Sequence, residues 1–134
     1  MRAFKTVFMR GGTSKGCMFH KEDLPKKREE WDSIFLQAMG NPDPKQIDGM
    51  GGTVSSNNKI VIVWKSEEPG IDVEYLVGQV IVGKSQVDYK SNCGNMTAAV
   101  GPYAVEEGMV TITEPVTTVH MLNRNTDKYI DVTV

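Results

Sequence analysis

The sequence predicts an α+β domain in which a mostly antiparallel sheet curls around a central helix. Three observations carry that expectation. Strand-like runs at 2–10, 17–19, 60–64, 71–82, 109–113, 116–122 and 129–134 outnumber the helical segments. The helical segments interrupt groups of strands instead of alternating with them one for one, the α+β pattern. The second helical segment, 94–107, is built from Thr97, Ala98, Ala99, Gly101 and Ala104, with charge only at Glu106 and Glu107. A helix with so little charge and such small side chains has no face suited to water, so it should be enclosed by the strands.

The elements follow in order. Thr6, Val7, Phe8 and Met9 give the first strand its bulk. The glycine-rich stretch 10–16 should turn the chain into the short run Cys17-Met18-Phe19, making a hairpin. Asp23-Leu24-Pro25 marks a helix entry, after which Trp31, Ile34, Phe35, Ala38 and Met39 fall on one helical face, with Gly40 as the stop. That stripe predicts a surface helix covering the sheet. Residues 41–58, rich in proline, glycine and short polar side chains, read as loop. Residues 60–64 form a continuous apolar strand, Glu67-Glu68-Pro69-Gly70 a turn, and 71–82 a long strand expected to bulge at Gly78. Gly108 stops the second helix, and the last two strands join through a turn at 123–128. The strand-like run reaches Val134 without a polar tail, which predicts an exposed apolar edge.

At 134 residues, one domain is expected. With 40% apolar and 24% charged residues the balance is that of a globular chain, not a disordered one. A net charge of −2 argues against nucleic acid held on a basic face. No apolar run approaches the about 20 residues of a membrane span, and residues 1–10 lack the apolar core of a signal peptide. A cytoplasmic location without membrane attachment is therefore expected. Cys17 and Cys93 form no C-x-x-C or Cys/His cluster, so reduced thiols and no metal are expected. His20 and His120 stand apart and read as surface or packing residues. Neither 11–16 nor 48–52 has a phosphate-loop spacing, and Asn95-Met96-Thr97 reads as a chance glycosylation sequon.

Ser91-Asn92-Cys93-Gly94-Asn95-Met96 is more informative. A thiol at a helix start feels the partial positive charge there, which lowers a cysteine pKa from about 8.5 and favours nearby anions. Cys93 could thus take and return a proton; it could equally be a small core residue. Lys59, between a flexible polar loop and an apolar strand, is either a site residue or a solvated flank.

These segments together resemble the PrpF family. The resemblance rests on Met9-Arg10-Gly11-Gly12-Thr13-Ser14-Lys15-Gly16, Asp23-Leu24-Pro25, Gly51-Gly52, Ser56 and Lys59, Val87-Asp88, the Asn92-Cys93-Gly94-Asn95-Met96 block, and Ala98-Ala99-Val100-Gly101-Pro102. Family members include 2-methylaconitate isomerase, methylitaconate Δ-isomerase and 4-oxalomesaconate tautomerase. The resemblance implies a diaminopimelate-epimerase-like fold of two similar domains, of which residues 1–134 correspond to the N-terminal half, the second being absent. It implies an isomerase that uses no cofactor and moves a C=C bond of an unsaturated di- or tricarboxylic acid by an allylic proton shift. Cys93 and Lys59 match the acid/base pair, Gly94 and Asn95 the contacts to a substrate carboxylate, and Thr13, Ser14 and Lys15 a motif bordering the site. Asn57-Asn58 stands where the family usually carries Thr-Ser, and Cys17 matches no functional position and reads as core. Two other readings stand beside this one. One is an epimerase or racemase of the same fold, a class that generally pairs two cysteines. The other is a non-catalytic domain that binds a carboxylate or a partner protein. Self-association into a homo-oligomer through an exposed edge would accompany the second.

Overall fold

The computed structural model describes residues 5–11, 14–38, 59–81, 87–89, 94–112 and 116–134, with Ser14, Lys15, Gln37 and Asn95 described by their backbone. The strands are β1 (Val7–Gly11), β2 (Ser14–His20), β3 (Lys59–Lys65), β4 (Val73–Val80), β5 (Val87–Asp88), β6 (Thr118–Asn123) and β7 (Lys128–Thr133); the helices are α1 (Trp31–Ala38) and α2 (Gly94–Glu106). They form one sheet in the order β1-β2-β3-β4-β6-β7, with β5 on β4. Among the described residues four pairings are antiparallel and two, β2–β3 and β4–β6, are parallel.

The two parallel pairings explain where the helices lie. Each is bridged by a crossover containing a helix, α1 between β2 and β3 and α2 between β4 and β6. Both crossovers step the same way along the sheet, but β3 and β4 run in opposite directions. Right-handed crossovers then put the helices on opposite faces, as observed. Met18, Val61, Val63, Tyr75 and Val77 pack with Met96, Val100 and Tyr103 of α2. Cys17, Phe19, Ile60, Ile62 and Val80 pack with Trp31 and Phe35 of α1. Residues 60–63 read as an unbroken apolar run because both faces of β3 are buried.

α2 is enclosed as its composition predicts. It packs against β1, β2, β3, β4 and β7, so the sheet curls round it as a half-barrel. At Gly101 a Cβ would lie 3.1 Å from Val132 Cγ1, so the missing side chain lets β7 close over the helix. The internal Pro102 removes one helical hydrogen bond; burial of the surrounding residues, not propensity, holds this helix.

Three expectations change. The strand expected at 109–113 is absent from its described residues, Met109 to Ile112. Gly108 adopts φ +72°, and its N–H and that of Met109 donate to Val105 O (3.2 Å) and Ala104 O (2.9 Å). This paired cap turns the Met109 side chain back into the core. No bulge forms at Gly78: the β3–β4 register runs through Ile60↔Gly78 without interruption. The glycine serves the Tyr89 ring instead, whose Cε1 would lie 2.8 Å from a Cβ at 78. Finally, β5 was not expected, and between it and β6 the ladder along β4 is completed by a side chain. Asn125 Oδ1 accepts from Val77 N (2.8 Å), and its Nδ2 donates to Val77 O (2.8 Å) and Tyr89 O (2.6 Å). The expected loop at 41–58 and the stop at Gly40 lie outside the described residues.

Candidate functional site

Lys59 opens β3. Val61 and Val63, two and four positions on, face α2, and the two-residue period of a strand puts Lys59 on that same face. It is half-buried. The antiparallel register places Gln79 of β4 opposite it. Gln79 lies on the α2 face for the same reason, in line with Tyr75 and Val77. The Lys59 Nζ donates a hydrogen bond to Gln79 Oε1.

On the other flank, Gly16 of β2 is in parallel register with Lys59. A Cβ at 16 would lie 2.6 Å from the Lys59 carbonyl oxygen and 3.0 Å from its Cβ, so no larger residue fits without moving Lys59. Ser14 and Lys15 lead into this position as the first residues of β2.

Gly94 and Asn95 are the first two residues of α2, where backbone N–H groups have no intrahelical acceptor. The helix is fixed near both ends. The Tyr75 and Thr97 hydroxyls are hydrogen-bonded at 2.9 Å in its first turn, and Lys5 Nζ meets Glu107 Oε1 at 2.8 Å just past its last. The structure therefore brings Lys59 to the face that holds α2, while Cys93 and Thr13 lie outside the described residues. Gln79 was missed in the sequence. Only the strand register across the turn at 67–70 sets it opposite Lys59.

The remaining candidates are structural. Cys17 is fully buried against the α1 side, and burial pushes its thiol up to about 11, which suppresses the thiolate. His20 Nδ1 accepts from the Glu22 N–H at 3.2 Å, and His120 Nδ1 pairs with Asp131 at 2.7 Å on the exposed side of β6 and β7. Among the described residues no group of three His, Cys, Asp or Glu side chains could hold a metal, and no helix is long and apolar enough to cross a membrane.

A groove of about 510 Å³ lies on the α1 side, bordered by Lys26, Arg28, Trp31, Trp64 and Arg124. Two of these cations are engaged in contacts within the fold. The Arg28 guanidinium stacks 5.1 Å from the Tyr89 ring centre, and Arg124 contacts Glu74 and Asp127. Trp64 projects to this face, opposite to Lys59, so the groove is separated from Lys59 by the sheet.

Comparison with known proteins identifies relatives of this chain. A (4E)-oxalomesaconate Delta-isomerase from Novosphingobium sp. (strain KA1) is 47% identical over 128 residues, 96% of this chain and 36% of that protein. A 2-methyl-aconitate isomerase from Shewanella oneidensis is 48% identical over 110 residues, 78% of this chain and 28% of that protein. A crystal structure of methylitaconate-delta-isomerase superposes with a TM-score of 0.93 at 41% identity, covering 98% of this chain and 34% of that one. The chain thus spans roughly a third of the length of the relatives it matches. The family described as "PrpF protein" matches residues 1–134, and the chain belongs to that family.

Proposed function

We propose that this chain supplies part of an isomerase that moves a C=C bond of an unsaturated di- or tricarboxylic acid by an allylic proton shift, without a cofactor. The observation that carries the reading is Lys59, held half-buried on the face of the sheet that encloses α2. The similar proteins named above act, by their names, on oxalomesaconate, methylaconitate and methylitaconate, all unsaturated polycarboxylates. In this reading the fold is of the diaminopimelate-epimerase type, and residues 1–134 belong to the first of two similar domains of a cytoplasmic enzyme.

Cys93 and Lys59 exchange protons with the two ends of the allylic system. In one direction a thiolate removes a proton from carbon and the ammonium delivers one to the far carbon. The electron pair left by the first C–H bond becomes the new double bond, and the old π pair forms the second C–H bond. Nothing is oxidised or reduced. The enzyme ends as thiol and amine, and proton exchange with solvent restores the starting form. The Gly94 and Asn95 N–H groups stabilise charge that spreads onto the substrate carboxylate as the carbanion forms. Thr13, Ser14 and Lys15 border the site.

The test is incubation with 2-methylaconitate, methylitaconate and oxalomesaconate in D₂O, followed by ¹H NMR. Deuterium at the two allylic carbons together with double-bond migration is expected. Exchange confined to the α-carbon of an amino acid would transfer the chain to the epimerases. Saturable binding of these acids without exchange would instead identify a non-catalytic carboxylate-binding domain, alone or as a homo-oligomer.

A further inference from the structure

We propose that Gln79 is a positioning residue for Lys59, holding its amine on the α2 face through an uncharged acceptor while Gly16 gives the Lys59 backbone the room to sit there. The inference rests on the reading of Lys59 as a proton-transfer group and adds the residues that make that role workable.

The geometry comes first. Gly16, Lys59, Gln79 and Asp88 occupy one row across β2, β3, β4 and β5, each in register with the next. A long lysine side chain has about four rotatable bonds and needs a partner to hold one direction. Gln79 Oε1 is that partner. On the opposite flank Gly16 leaves no Cβ, and a methyl there would collide with the Lys59 carbonyl at 2.6 Å. Lys59 is thus fixed from both neighbouring strands, by a hydrogen bond on one and by clearance on the other.

The chemistry explains why the partner is an amide. A carboxylate in contact with an ammonium favours the charged form and holds the proton. An amide oxygen directs the N–H while adding no charge. The charged groups facing this row support the point. Asp88 is the carboxylate in the row, and it stands opposite Gln79, two strand spacings from Lys59, or about 10 Å. Gly16 contributes no charge from β2, and the first turn of α2 contains no acidic residue. Gln79 is therefore interposed between the ammonium and the carboxylate of its own row.

The experiment is competitive acetylation of the 134-residue chain with acetic anhydride, read by mass spectrometry, with Lys65 at the exposed end of β3 as the internal reference. Gln79→Glu preserves size and places a carboxylate on the amine. The Lys59 rate should fall roughly tenfold relative to Lys65, because an adjacent opposite charge moves such a titration by about one pH unit or more. Gln79→Met keeps the length and removes the acceptor, and should raise the Lys59 rate at least about twofold, since the ammonium loses the hydrogen bond that favours it. Lys59 rates that match the unsubstituted chain in both variants would overturn the proposal. Turnover separates this from the functional reading. If Lys59 transfers protons, the pH profile of isomerisation moves with the acetylation profile in Gln79→Glu. Altered acetylation with an unmoved pH profile would keep the Gln79 contact and remove Lys59 from the reaction.

Discussion

The two faces of the sheet are both apolar and both covered by a helix, yet they are packed differently. On the α1 side, a short amphipathic helix lays Trp31 and Phe35 over Cys17, Phe19, Ile60 and Ile62, with the Phe19 and Phe35 rings 5.2 Å apart. It is a one-sided lid, and its polar groups are spent on structure: the Tyr89 hydroxyl donates to Asp32 at 2.6 Å, tying β5 to α1. On the α2 side, a helix of small residues is wrapped by five strands, and at the edge of that apolar packing stands a lysine with an amide partner. The small residues of α2 let strands and backbone approach closely, and half-buried Lys59 lies on the face that encloses this helix. Both faces contribute buried core, and the proposed chemistry lies on the second.

Substitutions can break that division. The largest effect should come from Lys59→Ala, and from Cys93→Ser, each lowering isomerisation by about 10²–10⁴ while thermal unfolding shifts little. Loss of stability together with activity in both would make the pair structural. Phe35→Ala should do the reverse. Removing a fully buried ring between Phe19 and Trp31 should cost about 3–5 kcal/mol in denaturant unfolding, with turnover per folded molecule preserved. A variant that stays folded but loses turnover would show that the α1 side reaches the chemistry.

Asn125→Leu sharpens the comparison at the joint between the faces. It strips partners from the N–H and C=O of Val77, which is buried on the α2 side, and from the carbonyl of Tyr89, which packs on the α1 side. A loss of about 1–3 kcal/mol is expected, measured by chemical denaturation, with faster amide exchange at Val77. The smallest effect lies outside both interfaces. The Asp131 hydrogen bond raises the His120 pKa above its usual 6.5. The pair's contribution is therefore fully present below that value and lost as pH rises through the higher folded-state pKa. An NMR titration should find the His120 midpoint above 6.5, and Asp131→Asn should return it toward 6.5.

How much of this was legible in the sequence follows from the range of the interactions. α1 was readable because Trp31, Ile34 and Phe35 repeat at helical spacing. α2 was readable because its small residues left no other place for it than inside. The features that were missed depend on partners distant in the chain. The two-residue strand β5 exists because β4 and the Asn125 side chain offer it hydrogen bonds. Met109 looks like a strand residue until the Gly108 cap folds it back, and Gly78 looks like a bulge until the Tyr89 ring is seen above it. In the site, Lys59 was legible from its place beside an apolar strand. Gln79 was not, because a lone glutamine in a strand signals nothing until the register sets it against the lysine.

The central claim is that Lys59 on the α2 face transfers a proton to one end of an allylic acid while Cys93 serves the other. The most direct measurement follows deuterium uptake from D₂O separately at the two allylic carbons, in the unsubstituted chain, in Lys59→Ala and in Cys93→Ser. Uptake at both carbons is expected in the first. Each variant should lose migration of the double bond and keep residual uptake at one carbon, a different one in each. Uptake at both carbons in Lys59→Ala, at an undiminished rate, would contradict it.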